Sequence, residues 1–451
     1  MKRKIKLTKK TFLLVLLVFF SIQVHAVYAE EEYHHVLTLE APDPEKSAWY
    51  GYLVEISGNI IVLSEPFADV DDIPDAGKVY IYDVDGTLLS TLQSPEPGNV
   101  YEFGKNFDLH NDTIIVKEYT DIGNLDGAGK AHVFTTDGTH QSTLQSPEPI
   151  KGGYFGTACI HDDITVIYED TSEGRVYLYD NEREYLKTLN SPTPLVMGKF
   201  GHTIEVSETL ILLGECGSGY IPMGSGSVYV FNHGGDHLMT LEAPEPENLA
   251  MFGTSISISG DLIVIGEGYA TVDEVFRAGR AYIFNTDGEH LKTLESPNPK
   301  MSGQFGDSVA IDGDRVVVGE WDANVNPYQY EGRAYVFDVE GNLLQNLTAP
   351  EPCPRAAFGL DVDIDGDYIV VGECWADTEG VNQAGRAHVY RLGPQVEAQE
   401  TTEETTSIVE EEPEPPDTGG IPGFPIAALA IGLICIIVST SHRRAHRVGF
   451  I

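Results

Sequence analysis

"FGDSVAIDGDRVVVGE", Phe305–Glu320, sets two short runs rich in β-branched residues on either side of Asp312-Gly313-Asp314. A turn class that tolerates left-handed backbone between two such runs reads as a tight β-hairpin. Working outward, "GRAYVFD" at 332–338 is a third strand, and Glu340-Gly341 turns it into a fourth, "NLLQNL" at 342–347. No helical periodicity interrupts the series. Four antiparallel strands in one repeat unit describe a propeller blade.

The unit recurs. "TLQSPEP" stands at 91–97 and again at 143–149, with looser copies starting at 38, 188, 240, 293 and 346. Most neighbours lie 52 or 53 residues apart, and one pair 45. Each copy falls between the fourth strand of one blade and the first of the next. Prolines there donate no ladder hydrogen bond, so they end one strand and stiffen the crossing. A PxxP-type recognition motif is the alternative, but the spacing differs and every copy sits at a junction. Seven first strands follow: one from Tyr50, then Phe-Gly at Phe103, Phe155, Phe200, Phe252, Phe305 and Phe358. The last repeat stops at "GRAHVYRL" without a fourth strand, while "HVLTL" at 35–39 precedes the first junction. The expectation is an all-β, seven-bladed propeller over 30–392, closed by the N-terminal strand completing blade 7.

The ends lie outside the repeats. Residues 1–29 have a basic front, an apolar run and small residues at Ala26 and Ala29, which reads as a signal peptide. Residues 393–420 form an acidic stalk with little to bury, 421–440 an apolar run long enough to span a membrane, and 441–451 a basic tail. The expected product is a cell-surface ectodomain anchored by its C-terminus. Nine of the 28 Lys and Arg lie in the two end segments, leaving 19 against 70 acidic residues. Such a field disfavours nucleic acid and favours cations or basic partners. Five cysteines are too few to build the fold. Cys353 and Cys374 fall in two loops of one repeat and are the candidate disulfide.

The combination of Phe-Gly, hairpin and "G-[RK]-x-[YH]-V" strand resembles the FG-GAP repeats of integrin-α-type β-propellers, in the variant found in microbial surface proteins. The resemblance covers nearly all of the exported domain. It implies a seven-bladed ring whose upper loops serve adhesion or ligand binding. Gly-Glu or a relative replaces the Gly-Ala-Pro of the family name, and the calcium loops between strands one and two are absent. Pro422-Gly423-Phe424, ahead of the apolar run and arginines, resembles archaeal C-terminal sorting signals; that implies a helix exchanged for a lipid anchor.

Candidate sites follow from the repeat. A Glu closes strand two in every blade: Glu65, Glu118, Glu169, Glu215, Glu267, Glu320 and Glu373. A base opens strand three in six: Lys78, Lys130, Arg175, Arg280, Arg333 and Arg386. These are structural ion pairs, or a ring of carboxylates around the axis that takes a cation. Blade 4 has Ser227 in place of the base, which marks Glu215 as a carboxylate released for ligand binding, or merely solvated. Variable loops on a rigid ring commonly carry binding. Asp69, Asp71 and Asp75 in one, and Asp121 and Asp126 in the next, are candidate calcium ligands or solvated acids. Trp321, Tyr328, Tyr330 and Trp375 are candidate ligand contacts, or packing between blades. Glu55, Asp108, Glu205 and Asp363 share one place on the first strands and face either the channel or the next blade. The 14 histidines show no metal-ligand spacing, and no hydrolase or phosphate-loop motif occurs.

Three functions fit: a surface propeller binding an extracellular protein or glycan through its upper loops, a hydrolase or lyase using axial carboxylates, and a passive envelope component.

Overall fold

A computed structural model describes residues 32–96, 100–193, 198–217, 224–322, 324–326 and 329–393. The signal-peptide, stalk, membrane-span and tail expectations lie outside those residues. Among the described residues no helix is long and apolar enough to cross a membrane.

Seven antiparallel blades of four strands each make up the fold, in the strand order of the repeat; blade 2 gains a short fifth strand, Val100–Tyr101, on its second strand, and Asn324–Asn326 pairs with Gln329–Tyr330 in a separate two-stranded ribbon. Blade 6 is representative: Val309–Asp312, Arg315–Glu320, Arg333–Asp338 and Leu343–Leu347 pair in sequence order. Blade 7 has Val362–Asp365, Tyr368–Glu373 and Arg386–Gly393, and its fourth strand is Glu32–Glu40. That closing strand pairs antiparallel from Glu32 opposite Gly393 to Glu40 opposite Arg386, with one irregularity between His35 and Leu37. The ring is shut by non-adjacent chain, as the missing strand required.

The core lies between blades rather than within one. Seven apolar clusters each draw on two neighbouring blades, including one that joins blade 7 to blade 1 through Leu39, Tyr50, Ile61 and Val389. A strand with both faces covered reads as a continuous apolar run, hence "RVVVGE" and "YIVVGE".

The repeated motifs are where one blade grips the next. Each Phe of Phe-Gly is fully buried. In blade 6 the Phe305 amide donates to the Ala278 carbonyl of blade 5 at 2.9 Å. Gly279, at φ 86°, lets that contact form, since a Cβ there would stand 2.1 Å from the Phe305 carbonyl oxygen. Gly266 of the Gly-Glu pair is equally constrained: a Cβ would meet the Gly306 carbonyl oxygen at 1.8 Å. Gly214, Gly319 and Gly372 make the same close approach in blades 4, 6 and 7, while Ser64, Lys117 and Tyr168 hold that place in blades 1 to 3.

The strand-two glutamates are all fully buried. In register each stands opposite the residue that opens strand three. Their constant partner, however, is the aromatic or imidazole two residues further on. Tyr80 donates to Glu65 at 2.6 Å, Tyr177 to Glu169 at 2.8 Å, Tyr282 to Glu267 at 2.6 Å and Tyr335 to Glu320 at 2.8 Å. His132 and His388 take the same place against Glu118 and Glu373, at 2.9 and 2.8 Å. The expected ion pairs form in three blades, Arg175–Glu169 at 3.7 Å, Arg333–Glu320 at 3.1 Å and Arg386–Glu373. In the others the base turns outward. Lys78 meets Glu45 at 2.9 Å, Lys130 meets Glu96, and Arg280 meets Glu295 at 3.2 Å. Glu45 and Glu96 belong to the proline junctions, so a long cation satisfied there stays nearer solvent, which costs less than full burial.

The junction serine works inward. Ser191 donates to Glu215 at 2.6 Å and Ser296 to Glu320 at 3.1 Å. Glu215 is therefore buried and hydrogen-bonded, not released by the missing base. This corrects its assignment as a ligand contact. The proline junction carries a structural hydroxyl to the neighbouring blade.

Cys353 and Cys374 are both free thiols, which corrects the expected bridge. Successive strand residues face opposite sides. Glu373 faces Arg386 and the half-buried Cys353, while the fully buried Cys374 lies on the side of Tyr52 and Asp361.

Candidate functional site

The first strands of all seven blades line a central channel of about 670 Å³. Six carboxylates lie along it: Glu55, Asp108, Glu205, Asp307, Asp361 and Asp363. The strand-two glutamates are not among the lining residues, so the axial ring is built from the first strands instead.

These acids fasten blade to blade. Asp363 accepts from the Ile56 amide at 2.7 Å, Glu55 from Leu109 at 2.5 Å, Asp108 from Ile160 at 2.8 Å and Glu205 from Ile258 at 3.3 Å. Ser257 does the same for Ile311 at 3.2 Å, while Cys159 and Ala310 hold the equivalent place in blades 3 and 6. Above them Asp361 accepts from Val54 at 2.9 Å, and Asn106 from Ala158 at 3.0 Å. An edge amide inside a narrow ring needs an acceptor, and a side chain from the neighbouring blade supplies it.

Burial raises the proton affinity of these acids, because the charged form loses hydration. It pushes Asp363 up to about 8, with Asp361 and Asp365 adding repulsion. Asp108 and Asp361 are pushed up to about 6, and Glu55 and Glu205 stand well above the carboxylate range. Opposing them, burial brings Lys117 down to about 8; its Nζ donates to Thr157 at 2.9 Å and sits 4.6 Å from the Tyr119 ring.

At the upper mouth, where the loops between strands two and three meet the proline junctions, the aromatics gather. Trp375 lies 5.4 Å from Trp321 and 5.9 Å from Trp49, and Trp49 lies 4.7 Å from Phe67 and 5.9 Å from Tyr52. Lys105 stands over this group, 4.3 Å from the Phe67 ring and 4.5 Å from Tyr52. Trp321 donates its indole N–H to Asp307 at 2.9 Å. The indole nitrogens of Trp49 and Trp375 are buried without a hydrogen-bond partner. The sequence reading singled out Trp321 and Trp375 but missed Trp49, Tyr52 and Lys105. Trp49 directly precedes Tyr50, the blade 1 counterpart of Phe-Gly, and that offset was the available signal. Tyr328 lies outside the described residues, and for Tyr330 only the backbone, in the short strand Gln329–Tyr330, is described.

The acidic loops do not assemble a calcium cage among the described residues. Asp69 accepts from the Asp75 amide at 3.0 Å, Asp121 from Gly127 at 2.8 Å and Asp377 from Gln383 at 3.0 Å. Each closes its own small loop, with the bridges Val70–Ile73, Ile122–Leu125 and Thr378–Val381 inside. Asp126 pairs with Lys151, and Asp71 sits exposed at φ 53°. An acid six residues ahead of the amide it accepts is a loop lock, which explains the recurrence without a metal.

The family model described as FG-GAP repeat matches residues 238–284, 294–337 and 342–390. No curated protein matches the sequence. Among solved structures, the chain is similar to BamB from Moraxella catarrhalis at 12% identity and a TM-score of 0.41, covering 80% of this chain and 100% of that one.

Proposed function

We propose that this propeller of FG-GAP repeats is a surface-recognition module that binds an extracellular glycan at the aromatic mouth of its channel. The observation that supports this is the gathering of Trp49, Trp321 and Trp375, from three blades, above a carboxyl-lined cavity. Flat rings offer an apolar face to a sugar ring, and the carboxyls lining the cavity below offer hydrogen-bond partners to its hydroxyls. A concave mouth suits the end of a glycan chain better than the broad face of a folded protein. Export and C-terminal anchoring belong to the same reading and rest on the sequence of the two ends.

The test is a glycan array probed with the wild-type chain and with Trp375→Ala. Binding to a defined class of glycans that is lost in the variant supports the reading. Silence across the array, with capture of a folded protein partner instead, sinks it.

A second reading, a hydrolase or lyase, is favoured by the raised proton affinity of Asp108 and Asp361, since an acid held near neutrality can donate a proton. Turnover of a bound glycan, lost in Asp361→Asn with binding kept, separates it from recognition alone.

A further inference from the structure

The lower face of the ring, at the opposite end of the first strands, carries a second polar cluster. His110 closes the first strand of blade 2 and His161 that of blade 3, each followed by a turn. Their rings lie 4.2 Å apart at 35°. His110 Nε2 stands 3.0 Å from Asp162 Oδ1, and the Asn111 amide reaches both, at 2.9 and 3.2 Å. One ligand atom each from His110, His161 and Asp162 lies within 4.8 Å of the others. The Nδ1 atom of His161 is buried with no hydrogen-bond partner. A cavity of about 240 Å³ opens beside them, with Thr165, Asn181 and Arg183 among its other walls.

We propose that His110, His161 and Asp162 form a binding site for a divalent transition metal of the zinc class. Two imidazoles and one carboxylate are a borderline-soft donor set that suits zinc and its neighbours rather than calcium, which prefers an all-oxygen shell. A metal would take the place of the contact between His110 and Asp162 and would give the orphaned His161 nitrogen a partner. Three protein ligands leave an open position, and the cavity gives it room. Charge does not oppose the ion. Asp163, paired with His233 at 3.2 Å, adds a second acid beside the cluster and offsets Arg183 on the cavity wall. The ligands belong to one repeat position, "LHND" at 109–112 and "IHDD" at 160–163, so the period of the chain builds the site. The upper mouth plays no part in it.

The full chain, stripped of metal with a chelator, is titrated with zinc chloride by calorimetry and with cobalt chloride by visible absorption. One zinc per chain, a raised melting temperature and a cobalt absorption band are expected. His110→Gln and His161→Gln each weaken zinc binding at least about 100-fold, beyond what loss of an outer-shell partner produces. His290→Gln, on an outer strand, leaves it unchanged. Asp162→Asn, at an exposed turn, serves as a third variant if either histidine change lowers the metal-free melting temperature, and the same loss is expected. Absence of zinc binding in the wild-type chain, or full affinity in all three ligand variants, overturns the proposal.

Discussion

Tyr335 donates its phenolic proton to Glu320 across 2.8 Å, with both side chains out of solvent. The same pair recurs in blades 1, 3 and 5, and a histidine stands in for the tyrosine in blades 2 and 7. Removing one partner of a buried charged hydrogen bond leaves the other desolvated. Tyr335→Phe is therefore expected to cost about 1.5–3 kcal/mol in guanidinium denaturation. Lys78→Ala removes only a part-exposed bridge to Glu45 and should cost under about 1 kcal/mol. Equal costs would mean that the tyrosine bonds secure the repeat no more than the ion pairs do.

The closing strand contributes to the core as the fourth strands of the other blades do. Leu39 and Tyr33 are 5% and 4% exposed, and Gln345 of blade 6 exchanges two hydrogen bonds of 2.7 Å with the Tyr33 backbone. Leu39→Ala should cost about 2–5 kcal/mol, the range for a buried leucine, and match Leu294→Ala in blade 5. A cost below about 1 kcal/mol would show that the ring stands without its latch.

Much of this was legible because the repeat reports each position seven times. Strand count, blade boundaries and closure followed from the Phe-Gly, turn and proline periods, whose physical roles are local. Partner choice was not legible. Glu65 and Lys78 are in register, yet the lysine reaches Glu45 on the junction, because a flexible cation takes the solvated partner. Side-chain direction was hidden too: nothing in the order of residues told whether Asp363 faced the channel. The approach of His110 to His161 was not legible either, because a propeller brings together residues one full repeat apart.

The channel acids set the sign of the pH response. Burial holds Asp363 at about 8 and Asp108 and Asp361 at about 6, against roughly 4 in an unfolded chain. Between those values the folded state holds more protons than the unfolded one, so stability falls as pH rises from about 4 through about 8. Glu65 and Glu267, each pushed to about 7 by burial, act in the same direction. The melting temperature is expected to drop from pH 5 to pH 8, with a shallower slope in Asp363→Asn. A melting temperature that climbs over this window would contradict the burial of these acids.

All three tryptophans of the chain stand at the channel mouth, within two contacts of one another. Intrinsic tryptophan fluorescence therefore reports on one place. Trp321 is tied to Asp307, whose proton affinity burial raises, so ionisation of that carboxyl should change the emission as pH is raised, and Asp307→Asn should remove the step. A glycan seated on the same rings should shift or quench the emission, and Trp321→Phe should reduce the amplitude while leaving the fold, followed by circular dichroism, unchanged. Lys105 stands over Trp49, Tyr52 and Phe67, where a ligand would compete with it for the ring faces. Lys105→Met should accordingly tighten the binding of a neutral sugar. If a glycan binds with no change in emission, the ligand lies elsewhere on the ring and the mouth is only a packed corner of the fold.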